Sequence, residues 1–387
     1  MLACALVSSD VPDMNDAARV LVADDQPDIL EALRWLLSGE GYEAQFVDST
    51  DAVLERLRSN SFDLLLMDLN YSRDTTSGRE GLALIPRVRE HDPALPIVVM
   101  TGWGSVDTAV EAMRLGAKSF VQKPWDDNAL REIVGREIDD GRAARRQDRK
   151  QHREREEARL IQRALLPAAM PQTEGINLAA SWQPADGVGG DCFDVITSGS
   201  LLGVAIADVA GKGLPAALLM SNLQAAVRAF AQGGTEPAAL CGNVNRLLCR
   251  HMVSGRFVTF CFTWIDTANR ALTYANAGHN PPLLLRADGS TERLAEGGMV
   301  MGVFPDAVFK QAQLAVAPGD RLLFYTDGIT EAPDPAGEEF GEERLTQVAH
   351  AAPDRSVEAM KDYVLAQLAA FTGGTFVDDA TLIVVEL

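Results

Sequence analysis

The sequence predicts two layered domains in series: an α/β domain on a doubly wound parallel sheet, then an α+β domain of antiparallel strands and packed helices. Three observations carry that prediction. Short apolar runs recur at regular spacing between amphipathic segments over the first third of the chain. A densely charged stretch without proline follows, over residues 139–160. Beyond about residue 175 the strand-like runs are often joined by short turns.

The elements read in order. RVLVA (19–23) is a buried, β-branched run, and residues 27–37 have helical periodicity. EAQFV, DLLLM (63–67), PIVVM (96–100) and KSFVQ (118–122) follow, separated by helical segments. Apolar runs alternating with helices argue parallel strands covered on both faces. In such a sheet, chemistry gathers at the carboxyl ends of the strands. The stretch DDGRAARRQDRKQHREREEARL regains apolar residues only at Leu160, Ile161, Ala164 and Leu165, and Pro167 and Pro171 end it. It reads as a helical connector (137–168) that pairs with its copy in a homodimer, with too thin a seam for a strong coiled coil. INLAASW, LLGVAIAD, VTFCFTWID, ALTYANA, RLLFYTD and ATLIVVEL are the strands of the second domain, with helices near 214–230 and 236–251. The expected organisation is a flexible tail (1–17), a first domain (18–136), the connector, and a second domain (169–387).

The bulk numbers exclude several classes. A chain of 387 residues can bury two cores. A net charge of −20 argues against a nucleic-acid groove, and no basic recognition helix is present. Five cysteines without a C-x-x-C pair argue against disulfides or zinc and fit a reducing cytoplasm. No apolar run reaches the roughly 18 residues of a membrane span. The opening MLACALVSSD lacks a basic flank and reads as a tail, not a signal peptide.

In the first domain, Asp24 and Asp25 follow the first strand, Asp68 the third, Thr101 ends the fourth and Lys123 the fifth. Parallel strands bring those ends to one edge. Three carboxylates there raise each other's pKa unless a cation is present, and Mg²⁺ suits all-oxygen donors. Asp68 can then attack a phosphoryl group, with Lys123 and Thr101 serving its oxygens. The runs V-A-D-D-Q-P, L-M-D-L-N, V-M-T-G and V-Q-K-P resemble the receiver domains of two-component response regulators. The resemblance implies that Asp68 accepts phosphate from a histidine kinase or phosphotransfer protein. It also implies that Asp24, Asp25, Asp68 and the carbonyl of Asn70 hold one Mg²⁺, and that Phe120 stands where the family has a mobile aromatic. The M-P turn that the family has after the phosphoacceptor is missing, and the loop NYSRDTTSGREG is longer than usual.

In the second domain the stretch G-G-D-C-F-D (189–194) differs by one letter from a diguanylate cyclase signature. The other acids point elsewhere. Asp208 ends LLGVAIAD, Asp327 ends LLFYTD, and Asp378 and Asp379 precede ATLIVVEL. With Asp191 these aspartates sit at strand ends beside glycines and other small residues, which let backbones approach closely. Such a group suits two hard divalent ions, Mg²⁺ or Mn²⁺, clamping a phosphoryl group for attack by water. Gly211-Lys212-Gly213 is not a phosphate-binding P-loop, since the flanking motif residues are wrong. His279 reads as a turn-fixing residue, with a general acid as the alternative, and Cys192 as a buried structural thiol.

The set E-E-A-R-L-I-Q-R-A-L-L-P, Q-P-A-D-G-V-G-G-D-C-F-D, I-A-D-V-A-G-K-G-L-P-A-A-L-L-M-S, N-A-G-H-N-P-P-L, F-Y-T-D-G-I-T-E-A and D-D-A-T-L resembles the type 2C metal-dependent protein serine/threonine phosphatases. The likeness is to their bacterial branch, which regulates sporulation and stress sigma factors. It implies an α-β-β-α sandwich, with Asp191, Asp208, Asp327 and Asp378 and the carbonyl of Val209 as ligands of two ions. Asp379 is the fallback for Asp378, and Asp194 an outer-layer or third-metal carboxylate. The family often has Glu where Gly187 stands here. The implied activity is hydrolysis of phosphoserine or phosphothreonine on a regulatory protein such as an anti-sigma factor antagonist, under control of the receiver. The alternatives are a catalytically silent partner-binding module and a diguanylate cyclase.

Overall fold

The computed structural model describes residues 17–71, 78–102, 106–167, 169–171, 173–185, 187–252, 255–353 and 356–387. The predicted tail, except Ala17, and residues 72–77 of the long loop lie outside them. The chain divides into two compact units, Met1–His152 and Arg153–Leu387.

The first unit alternates strand and helix: β1 (Arg19–Ala23), α1 (Pro27–Ser38), β2 (Glu43–Val47), α2 (Thr50–Ser59), β3 (Leu64–Asp68), α3 (Arg79–His91), β4 (Ile97–Thr101), α4 (Val106–Arg114), β5 (Ser119–Gln122) and the start of α5 (Asp127–Leu165). The five strands are parallel, in the order β2-β1-β3-β4-β5. Successive side chains on a strand face opposite ways. Leu65, Met67, Ile97 and Val99 thus pack with Val53, Leu57, Leu84 and Val88, while Leu64, Leu66, Val98 and Met100 pack with Leu33, Leu37, Leu130 and Val134. Both faces are covered, which is why the strands read as unbroken apolar runs.

The helix α5 runs 39 residues without a break at 137, where the sequence reading begins the connector. The reason is packing. Ile138 still belongs to the sheet's core, and Arg142 and Arg145 pair with Asp63 and Asp92. Gly141 permits this approach, since a Cβ there would come 2.5 Å from the Pro96 ring.

The second unit comprises β6 (Asn177–Gln183), β7 (Cys192–Ser198), β8 (Leu201–Val209), α6 (Leu214–Phe230), α7 (Pro237–His251), β9 (Val258–Asp266), β10 (Ala271–Ala277), β11 (Leu283–Leu285), β12 (Thr291–Arg293), β13 (Gly297–Gly298), β14 (Ala312–Ala315), β15 (Arg321–Tyr325), α8 (Asp327–Thr330), α9 (Glu342–His350), α10 (Val357–Thr372) and β16 (Ala380–Glu386). One sheet runs β13-β10-β9-β8-β7, with β14 also on β10; the other runs β12-β11-β15-β16-β6. Alternation again divides the core. Leu322, Phe324, Ile383 and Val385 join the cluster of β8, β9, α6 and α7. Leu323, Tyr325, Leu382 and Val384 join that of α9 and α10. Each fully buried aliphatic or aromatic side chain here contributes about 1.5–3 kcal/mol of transfer free energy. The result is the expected α-β-β-α sandwich.

Candidate active sites

The carboxyl edge of the parallel sheet gathers the acids read from the first domain. One carboxylate oxygen each from Asp24, Asp25 and Asp68 lies within 4.8 Å of the others. Asp24 and Asp68 are buried. The Lys123 ammonium reaches both, at 2.6 Å from Asp24 Oδ2 and 3.1 Å from Asp68 Oδ2. Burial nevertheless pushes the Asp68 carboxyl above the ordinary range; Lys123 lowers it and Asp24 raises it. Thr101 is buried at the end of β4. The Asn70 side chain is committed to the Gly78 amide, at 2.9 Å. Phe120 is exposed on β5. Sequence reasoning missed Tyr71, which is buried; its hydroxyl is pushed upward by that burial and then by Asp68, Asp24 and Asp25.

The second group forms where β7 and β8 of one sheet meet the ends of β15 and β16 of the other. Asp191 is 1% exposed, and its Oδ2 accepts from the Thr326 hydroxyl (2.7 Å) and the Thr381 hydroxyl (2.6 Å). Those threonines pull its pKa down, but burial and then Asp208 push it well above the ordinary value. Asp208 is pushed up to about 7 by burial and then by Asp327, Asp378 and Asp379. Asp327 is raised by burial and then by Asp378. Gly190 lies against β8, since a Cβ there would come 2.6 Å from the Val209 carbonyl oxygen. Among the described residues, the one ion pair made to this acid group is from Lys212, 2.8 Å from Asp378 Oδ2. Asp208 is thus coupled electrostatically to Asp191, Asp327 and Asp378, but no three of these acids bring ligand oxygens within 4.8 Å of one another as Asp24, Asp25 and Asp68 do.

The two secondary acids have partners of their own. Asp379 is buried, and its oxygens accept from the Ala185 amide (2.9 Å) and the Gly190 amide (2.7 Å). It is engaged in fixing the loop before β7, which does not suit it as a stand-in for Asp378. Asp194 is engaged elsewhere: its two oxygens accept from Arg228 Nε (2.6 Å) and Nη2 (2.9 Å), tying β7 to α6. That buried acid also explains why CFDVITS did not read as a strand.

Sequence reasoning also missed Thr326 and Thr381, whose only signal was a threonine beside each acidic motif. His279 is buried, its Nδ1 lies 2.8 Å from the Thr259 hydroxyl, and burial pushes its pKa down to about 4. It is neutral at neutral pH, which suits fixing the turn and not acid catalysis. Cys192 is buried and its thiol is pushed upward.

Residues 20–135 match the response regulator receiver domain family, and residues 198–387 match the stage II sporulation protein E (SpoIIE) family. The chain is a receiver domain followed by a SpoIIE-family domain. The SpoIIE match takes in Asp208, Asp327 and Asp378 and begins after Asp191. The chain is similar to Protein IcfG of Synechocystis sp., with 30% identity over 67% of this chain and 44% of IcfG. It is similar to phosphoserine phosphatase RsbU of Bacillus subtilis, with 31% identity over 44% of this chain and 51% of RsbU. The chain therefore spans about half the length of these curated relatives. Among solved structures, the SiaA-PP2C domain of Pseudomonas aeruginosa superposes with a TM-score of 0.54 and 25% identity, covering 62% of this chain and 98% of that one. The SpoIIE-family domain thus has a type 2C phosphatase fold, and neither family match supports the cyclase alternative. No helix among the described residues is long and apolar enough to cross a membrane.

Proposed function

We propose that the chain is a receiver-controlled, metal-dependent protein phosphatase acting on phosphoserine or phosphothreonine of a regulatory partner. The observation that carries this reading is the coupling of Asp208 to Asp191, Asp327 and Asp378 at the ends of facing strands, with Lys212 on Asp378, inside a SpoIIE-family fold. One buried and three half-buried carboxylates coupled in this way favour a cation, and an all-oxygen donor set suits two Mg²⁺ or Mn²⁺ ions. Asp191, Asp208, Asp327, Asp378 and the Val209 carbonyl are the groups that would hold them. Such ions, when bound, polarise water and the phosphoryl oxygens.

The chain's own part is to hold the acids in register. Thr326 and Thr381 saturate Oδ2 of Asp191 and leave Oδ1 free to face an ion. In the hydrolysis, a water oxygen bonds to phosphorus, the serine or threonine O–P bond breaks, and a proton returns to the released hydroxyl.

In the receiver, Asp68 takes phosphate from a histidine kinase or phosphotransfer protein. Asp24, Asp25, Asp68 and the Asn70 carbonyl are the groups that would hold one Mg²⁺, and Lys123 and Thr101 would serve the phosphoryl oxygens. The likeness to RsbU, a phosphoserine phosphatase, supports a phosphoserine substrate, and the motif resemblance implies that its bearer is a regulatory protein such as an anti-sigma factor antagonist. The reading includes a homodimer paired through α5 and a cytoplasmic setting.

The test is phosphate release from a phosphoserine protein by the full chain with Mn²⁺, then with chelator. Metal-dependent release is expected. Tight partner binding with no release under any metal would replace this reading with that of a silent binding module.

A further inference from the structure

From residue 139 to residue 165 of α5, one side chain is buried, and it is polar: Gln162. Its neighbours Leu160 and Ile161 are two-thirds exposed. Burying an amide costs free energy unless its donor and acceptor are both met. Here both are met by one residue. Gln162 Nε2 donates to the Gly189 carbonyl at 2.6 Å, and the Gly189 amide donates to Gln162 Oε1 at 3.1 Å. The side chain thus pairs with both backbone groups of one residue, as a partner strand would.

That residue, Gly189, lies two positions before Asp191. Gly189 and Gly190 leave no room for a side chain: a Cβ on Gly189 would strike the Asp379 carboxylate, and one on Gly190 the Val209 carbonyl. Consecutive glycines are the least self-restrained backbone, so their conformation has to be imposed from outside. Two groups impose it: Asp379 on the Gly190 amide and Gln162 on both polar groups of Gly189. Asp379 comes from the sandwich itself. Gln162 comes from the helix that continues out of the receiver. A further tie, Gln224 Nε2 to the Leu165 carbonyl at 2.5 Å, anchors the end of that helix on α6.

We infer that Gln162 is a positioning residue that couples the connector helix to Asp191, so that the helix must be seated for the acid group to take metal. This rests on the proposed phosphatase reading. The amide's two bonds form or break together, which makes seating a two-state contact. A helix shift of an ångström or two is enough to break both.

The test uses the full-length chain, with Gln162→Leu and Gln162→Glu. Leucine keeps the bulk and removes both bonds; glutamate keeps an acceptor and sets its second oxygen against the Gly189 carbonyl. Mn²⁺ affinity is read by calorimetry, and backbone hydrogen exchange is read over 187–196. Outer partners of metal ligands typically contribute 10–100-fold to affinity. Both variants are expected to lose about tenfold or more in Mn²⁺ affinity and to exchange faster at 189–191, with the chelated chain still folded though melting somewhat lower for its unmet backbone groups. Should leucine prevent folding, the glutamate variant reads the same quantities. Unchanged affinity and exchange in a folded variant would overturn the inference. Asp208→Asn is the separate control: if it too leaves Mn²⁺ affinity unchanged, the phosphatase reading itself is wrong.

Discussion

The chain builds two acid clusters, and they differ in how their charge is compensated. In the receiver, Lys123 reaches both Asp24 and Asp68 from the end of β5. In the SpoIIE-family domain, Lys212 pairs with Asp378 at the rim, and among the described residues no lysine or arginine pairs with Asp191 or Asp208. A built-in cation lets the first cluster persist between visits of its ion. The second cluster stores repulsion that only protons or metal relieve.

The largest expected effect comes from removing a member of the uncompensated cluster. Asp208→Asn is expected to cut phosphate release by more than about 100-fold, above the usual cost of an outer partner; full activity would mean the acids are not the site. Next is pH. Asp208 is raised to about 7, and Asp191, Asp327 and Asp379 are also raised above the unfolded range near 3.9. Through that window the native state binds more protons than the unfolded one, so stability falls as pH rises. The chelated chain is expected to melt lower at pH 8 than at pH 5, and Mn²⁺ to flatten the difference. A melting curve insensitive to both would erase the contrast between the clusters.

A smaller effect is expected from the compensated cluster. Asp68→Asn should leave basal turnover and remove the response to a phosphodonor such as acetyl phosphate, measured as the ratio of rates with and without it. A retained response would move the input elsewhere. The smallest effect sharpens the assignment of Asp194. Arg228→Ala removes the half-exposed partner of a buried carboxylate and should cost on the order of 1 kcal/mol in denaturant unfolding, with Mn²⁺ affinity kept. A fall in affinity would place Asp194 at the metal site.

Much of this was legible in the sequence, for physical reasons. Parallel strands buried on both faces must be apolar throughout, so DLLLM and PIVVM announced themselves. Acids directly after such runs had to share an edge. The ends of β8, β15 and β16 were legible likewise. What stayed hidden depends on distant pairings. CFDVITS hides its strand because Asp194 is satisfied by an arginine 34 residues away. Asp379 and Asp378 are adjacent letters with different tasks, and only the amides of Ala185 and Gly190 tell them apart. Gln162 sits in a run of exposed residues, and nothing local marks it as buried.

Gly328 follows Asp327 so closely against the next strand that an added Cβ would collide with the backbone carbonyl of Asp379. Every substitution there pries apart the two segments that carry Asp327 and Asp378. As copies of such genes drift, a domain can therefore decay with all its acids still spelled out. In sibling sequences, a missing glycine in T-D-G is as informative a mark of a retired enzyme as a missing aspartate.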